Sequence, residues 1–274
     1  MCIRDSIMRD IVTGERDPAR LAQHRNVHCA KSEQEIAKSL QGHYKPEHVF
    51  ELKQALEAYD FYQRQIKACD VELERLYEAL EPRIDDSDQP LPPPKRKRSK
   101  ASKNTPDFDL RLYLYRWAGV DLTAIDGPDA LTIQKVLTET GVDMSPWPTV
   151  KHFTSWLSLC PDNAKTGGKV IKRSTRKTQN RAAAALRMAA QSLSHSKSAL
   201  GAHHRRMRAR LGGPEAITAT AHKLARIIYA MLKNQTEYVA PSEDDYEDRA
   251  RQRALKRLKR KAKKLGFQVV PVTP

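Results

Sequence analysis

Between Leu52 and Leu80 an apolar residue stands at every seventh position: Leu52, Tyr59, Ile66, Leu73 and Leu80. A second series, Ala55, Tyr62, Cys69 and Leu76, falls three residues after each of the first four. Such a seam has a period of 3.5 residues, which a helix can satisfy and a strand cannot. Neither proline nor glycine interrupts it, so it predicts one coiled-coil helix over 47–81, with a seam running roughly 45 Å. A strip that narrow needs a second helix to cover it. The preferred partner is another copy of the chain, and a helix of the same chain is the alternative.

Around this helix the chain punctuates itself. Residues 7–46 read as short helices. Gly14 and Asp17-Pro18 break the first of them, Ser32 with Glu35 has the spacing of a capping box, and Gly42 and Pro46 stop the helix it opens. Residues 82–107 form a linker, because Pro90, Pro92, Pro93 and Pro94 cannot continue a helix. The run Lys95-Arg96-Lys97-Arg98-Ser99-Lys100 follows; a solvated linker touching phosphates is preferred to a nuclear localisation signal. Residues 108–240 read as a compact helical domain, with no sustained alternation that would call for a sheet. One helix is expected from Asn180 to about Leu200, rich in alanine. Another starts at Gly213-Pro214 and stops near Asn234, with the stripe Ile217, Ala221, Leu224, Ile228 and Met231. A basic C-terminal helix and tail occupy 241–274, capped by Ser242 and ended by Gly266. Its thin stripe of Leu255, Leu258, Ala262 and Leu265 is expected to dock on the domain. The fold class is therefore all-α.

The composition narrows the partners. Over 274 residues the net charge is +16, spread over several separate blocks. Such an excess suits a polyanion through phosphate contacts and counterion release. The four cysteines, Cys2, Cys29, Cys69 and Cys160, form no CxxC pair, which argues against a zinc site or a disulfide framework. No apolar run approaches the ~20 residues that span a bilayer, and no membrane partner is expected. The basic last helix lacks the large aromatics of a membrane-surface helix.

Two segments have the residue types for phosphate chemistry. Leu122 to Gly141 reads as a short helix, a turn at Gly127 and a second helix, a helix-hairpin-helix-like pattern. Such a turn presents backbone N–H groups to a phosphate; many ordinary helical turns look the same. Phe153 to Leu159 reads as an aromatic core helix. After it, Thr166 stands beside Gly167 and Gly168, between Lys165 and Lys169. Glycines let a backbone approach a phosphate, lysines hold it, and a hydroxyl there can attack a phosphodiester. A flexible basic loop is the plainer alternative. Lys172, Arg173, Arg176, Lys177, Arg181 and Arg187 follow, several near the N-terminal end of the alanine-rich helix. Ser174 is a second, weaker hydroxyl candidate. His203 and His204 point to different faces of a helix and make no metal site.

Taken in order, these stretches resemble the insertion-sequence-110 family of transposases, the 116/110/902 group. The resemblance is carried by Gly14-Glu15-Arg16-Asp17-Pro18, Leu21-Ala22, Glu47-His48, Phe50, Leu52, Tyr59-Asp60 and Cys69-Asp70. It continues through Gly119-Val120-Asp121-Leu122-Thr123, Phe153, Ser155-Trp156-Leu157, Pro161 to Lys169 and Asn180 to Arg187. Ala219-Thr220-Ala221 and Lys223-Leu224-Ala225 complete it. It implies an N-terminal RuvC-like domain with acidic metal ligands, a coiled coil and a C-terminal transposase domain with a catalytic serine. It also implies a structured guide RNA, DNA as substrate and a bacterial, nucleoid-associated cytoplasmic setting.

This sequence departs from the pattern twice. The RuvC-like domain should precede Ile7, so no metal ligand is assigned within the chain and magnesium is expected only in that missing domain. Residues 1–6, Met-Cys-Ile-Arg-Asp-Ser, resemble the translation of a sequencing-library adapter, on which reading the chain is a fragment. Second, Thr166 stands at the family's serine position. Its β-methyl narrows the rotamers and crowds in-line attack, so impaired activity is expected. The alternative function is a non-catalytic, self-associating module that binds nucleic acid.

Overall fold

The computed structural model describes residues 3–85, 89–94, 105–172, 175–176 and 179–270. It divides into two units, residues 1–75 and 76–274.

The first unit is helical. Helix α1 (Ile3–Thr13) ends before Gly14, and α2 (Pro18–Ala22) places Pro18 in its first turn, where no N–H is needed. Asp17 caps α2 by accepting from Ala19 N at 3.0 Å, and Leu21 and Ala22 are buried. Helix α3 (Glu33–Ser39) opens with the expected capping box: Ser32 Oγ accepts from Glu35 N, and the Glu35 carboxylate accepts from Ser32 N. Helix α4 (Pro46–Glu78) runs 33 residues without a break, about 50 Å. Arg9 of α1 donates to Asp60 of α4 at 2.8 Å and holds that carboxyl below its ordinary range.

The seam of α4 is uncovered. Tyr59, Tyr62, Ile66, Leu73 and Leu76 are 37–64% exposed, Ala55 and Cys69 are exposed with them and Leu52 is half-buried; Leu80 lies past the helix, which ends at Glu78 and short of the expected 81. Off the seam, Leu56 and Tyr77 are buried. Tyr77 lies in the second unit, against the rings of Phe108, Tyr113 and Trp117.

The second unit is built from α5 (Leu110–Ala118), α6 (Ala130–Thr140), α7 (Val150–Trp156), α8 (Arg181–Ser192), α9 (Ala199–Leu211), α10 (Gly213–Asn234) and α11 (Glu243–Lys264). Helix α8 packs against both α6 and α10. Its Ala182, Ala183, Ala189 and Ala190 are buried, and these short side chains let the neighbouring helices come close. Leu137, Phe153, Leu186, Leu224 and Ile228 fill the rest of the core. The expected stripe of α10 is largely the buried one: Ala221, Leu224, Ile228 and Met231 are inside, and Ile217 is partly covered. Tyr229 Oη donates to Trp147 O at 2.8 Å and Lys233 Nζ to Pro148 O at 3.0 Å, tying α10 to the turn before α7.

The fold is all-α as expected, with two expectations changed and one short hairpin added. The single helix expected over 180–200 breaks. After α8 comes a 3-10 turn, Leu193–His195, and α9 begins only after Ser198, whose hydroxyl accepts from Gly201 N. The stripe of α11 does not dock: Leu255, Leu258 and Leu265 are 45–65% exposed, and contact with α9 is made by the N-terminal half through Tyr246. One two-stranded antiparallel sheet joins the helices, β1 (Ala164–Thr166) with β2 (Lys169–Lys172). The basic run 95–100 lies outside the described residues.

Candidate nucleic-acid interface

The segment read as a glycine loop is a hairpin. Thr166 pairs with Lys169 across a two-residue turn, Lys165 with Val170, and Ala164 with Lys172 after a bulge. Gly167 and Gly168 have φ of +54° and +78°. Positive φ at both central residues is what a type I′ turn requires, and it matches the twist of the flanking strands. A bridge between Pro161 and Thr175 continues the pairing at the base of the hairpin.

This register decides what stands beside the candidate hydroxyl. Directly opposed residues project to one face of a ribbon, with Cβ atoms about 5 Å apart. Thr166 and Lys169 are such a pair, and both are exposed. A hydroxyl and a cation therefore share one face at the hairpin tip, the arrangement needed to attack a phosphodiester while neutralising its non-bridging oxygen.

Two of the arginines downstream brace the chain around this hairpin, and a third ties α8 to α6. Arg176 Nη2 donates to Ser155 Oγ at 2.8 Å and to Ser155 O at 3.2 Å, fixing the returning strand to α7. Arg187 Nη2 donates to Ser158 O at 3.4 Å, at the turn where the chain leaves α7 with Ser158 at φ +52°. Arg181 Nε donates to Glu139 Oε1 of α6 at 2.7 Å. A guanidinium has five donors, so each bond leaves others for phosphate oxygens. All three arginines thus have a structural task that the sequence did not announce. Ser155, Ser158 and Glu139 were missed because each lies 21 to 42 residues from its partner. Arg173, Ser174 and Lys177 lie outside the described residues, as do the side chains of Lys165 and Lys172.

The region around Gly127 differs from its expected form. The first helix of the pair is a 3-10 turn, Leu122–Ala124. The N-terminus of the second, α6, is taken by Asp129, whose carboxylate accepts from Thr132 N at 2.9 Å and from Thr132 Oγ1 at 2.7 Å. A fixed negative charge at that end opposes a phosphate. Gly127 has a packing reason of its own: with φ +106°, a Cβ there would come within 3.1 Å of Ala189 O and Leu193. Nearby, buried Asp121 accepts from Arg111 Nη2 at 2.6 Å, from Thr123 N at 3.0 Å and from Thr123 Oγ1 at 2.6 Å. That network holds α5 to the 3-10 turn.

Among the described residues no three His, Cys, Asp or Glu side chains converge as a metal site. No helix among them is long and apolar enough to cross a membrane.

Against known proteins, residues 108–210 match one family model, described as Transposase IS116/IS110/IS902 family. No curated protein and no solved structure matches the chain.

Proposed function

Since residues 108–210, running from just before α5 almost to the end of α9, match the model of the Transposase IS116/IS110/IS902 family, we propose that the chain is a transposase of that kind and acts in DNA transposition through the hairpin within that stretch. The observation behind this reading is the register that places Thr166 opposite Lys169 at an exposed two-glycine tip. In the proposed step Thr166 Oγ1 attacks a DNA phosphorus and loses its proton. A phosphothreonine ester forms, one bridging P–O bond breaks, and the leaving strand departs as a hydroxyl. Attack by a strand hydroxyl on that ester reverses the step and joins new ends. Lys169, with Arg176, Arg181 and Arg187 behind it, balances the charge that grows on the phosphate.

This copy is impaired, because threonine carries a β-methyl where the family has serine. A structured guide RNA selects the DNA, and the uncovered seam of α4 joins copies of the chain in the bacterial nucleoid. Binding without chemistry is the second reading, and Thr166 itself favours it.

The test is adduct formation. The chain is incubated with DNA of the element's ends and resolved on a denaturing gel, beside Thr166→Ser and Thr166→Ala. A weak or absent band for the threonine form, restored by serine and abolished by alanine, supports the proposal. Equal yields from threonine and serine overturn the impairment. No adduct from either form, with DNA still bound, leaves the binding module as the function.

A further inference from the structure

Helices α9, α10 and α11 enclose a groove of about 1950 Å³ in the second unit. Apart from the N-terminal turn of α7 and the end of α9, its walls lie beyond residue 210, outside the matched stretch. Among the described residues its lining holds ten lysines and arginines and two carboxylates, Glu237 and Asp248. We infer that this groove is a second nucleic-acid site, binding the phosphodiester backbone of one strand independently of its sequence.

Two carboxylates do not balance ten cations, and most of those cations have no ion-pair partner among the described residues. Arg206, Lys223, Arg226, Arg249, Arg253 and Arg257 form no ion pair among the described residues. Two of them crowd one ring: Arg206 Cζ lies 5.1 Å and Lys223 Nζ 5.2 Å from the centroid of Tyr246. Burial, with Arg253 and Arg226 nearby, lowers the affinity of Lys223 for its proton. Cations held together in such excess over carboxylates raise the free energy of the empty groove, and a polyanion relieves that cost.

The shape selects the kind of polyanion. Arg249, Arg253 and Arg257 succeed one another at four-residue spacing along α11, about 6 Å apart and on one face. Such a row matches a polymer charged at regular intervals and not a single small anion. The volume is also well above the roughly 300–1,000 Å³ of small-molecule sites. A planar lipid surface cannot reach the walls of a groove. Phosphate contacts carry no sequence information, so the site positions a strand and does not read it. The inference rests on the nucleic-acid reading of the chain, and the experiment separates the two.

The full chain is titrated against labelled 30-nucleotide single-stranded DNA, the same sequence as RNA, and a 30-base-pair duplex. The comparison is with the double variant Arg226→Gln/Arg253→Gln. Both side chains are exposed, so unchanged circular dichroism is expected. In the variant, affinity for at least one of the three falls about tenfold at 0.1 M salt, and the salt slope drops by about two. The arm that responds identifies DNA or RNA as the strand. A nucleotide photocrosslinked within residues 203–257 is the second positive result. Wild-type affinity and slope in the variant for all three ligands overturn the groove site while leaving the proposed function standing. No binding of any ligand by the unaltered chain overturns both. Poly-glutamate bound as tightly as the oligonucleotides, and lost in the same variant, overturns the assignment to nucleic acid.

Discussion

Helix α10 buries nine of its 22 residues, whereas α4, half as long again, leaves almost all of its seam in water. Both helices are amphipathic, and the width of the stripe separates them. Positions 217, 221, 224, 228 and 231 of α10, with Thr220, Ala225 and Leu232 beside them, make a broad face that one domain surrounds. The 52–80 series makes a ribbon two residues wide, which only another helix of the same geometry covers. A broad stripe signals a fold completed within the chain, and a narrow one signals a fold completed by something else.

Truncation tests that contrast most strongly. Ile228→Ala should cost about 3–4 kcal/mol in urea unfolding, through lost burial and a cavity. Ile66→Ala should change dilute-chain stability by under about 0.5 kcal/mol while shifting sedimentation toward the monomer. Equal costs at the two positions would show that the seam is already covered.

The ion pairs repeat the contrast on a smaller scale. Asp121→Ala leaves the nearly buried Arg111 unpaired and should cost about 3 kcal/mol, read from the same denaturation curves. Glu72→Ala on α4 removes an exposed, solvent-screened pair with Arg75 and should leave the denaturation midpoint unchanged.

Acid acts on the second unit through His203. Burial first, then Lys223, His204, Arg206 and Arg210, push this imidazole down to about 4. Its unfolded value is 6.5, so between the two the unfolded chain binds the extra proton. Stability therefore rises with pH across that window. The melting temperature should fall as pH drops from 6.5 toward 4, and less steeply in His203→Gln. The smallest effect is expected at Thr166→Ala, which sits on an exposed hairpin and should leave the melting curve within about 0.5 kcal/mol of wild type.

Signals written in consecutive residues could be read before the structure: the Ser32–Glu35 capping box, the start of α10 at Gly213-Pro214, the Ser242 cap and the period of α4. The break before α9 was passed over although Ser194, Ser196 and Ser198 mark it, because the alanine-rich run before it reads as one continuous helix. It is fixed by Ser198 capping the next helix. The hairpin was hidden because β1 and β2 are three and four residues long, too short for alternation to register. Around Thr166 the glycines and the single hydroxyl were legible, but the tethers to Ser155, Ser158 and Glu139 are tertiary. The same holds for the groove. Arg206, Lys223 and Arg253 lie far apart in the sequence, and only the packing of three helices brings them to one groove.

The family match stops at residue 210, and α10 begins at Gly213. The stretch that matches the family model and the folding unit therefore have different boundaries. A polypeptide cut where the match ends would lose the helix against which α8 and α9 pack, presenting apolar side chains of the shared core to water as a sticky surface. The smallest piece able to fold alone must reach Asn234, so proteases should trim the tail up to that helix before any of the domain opens.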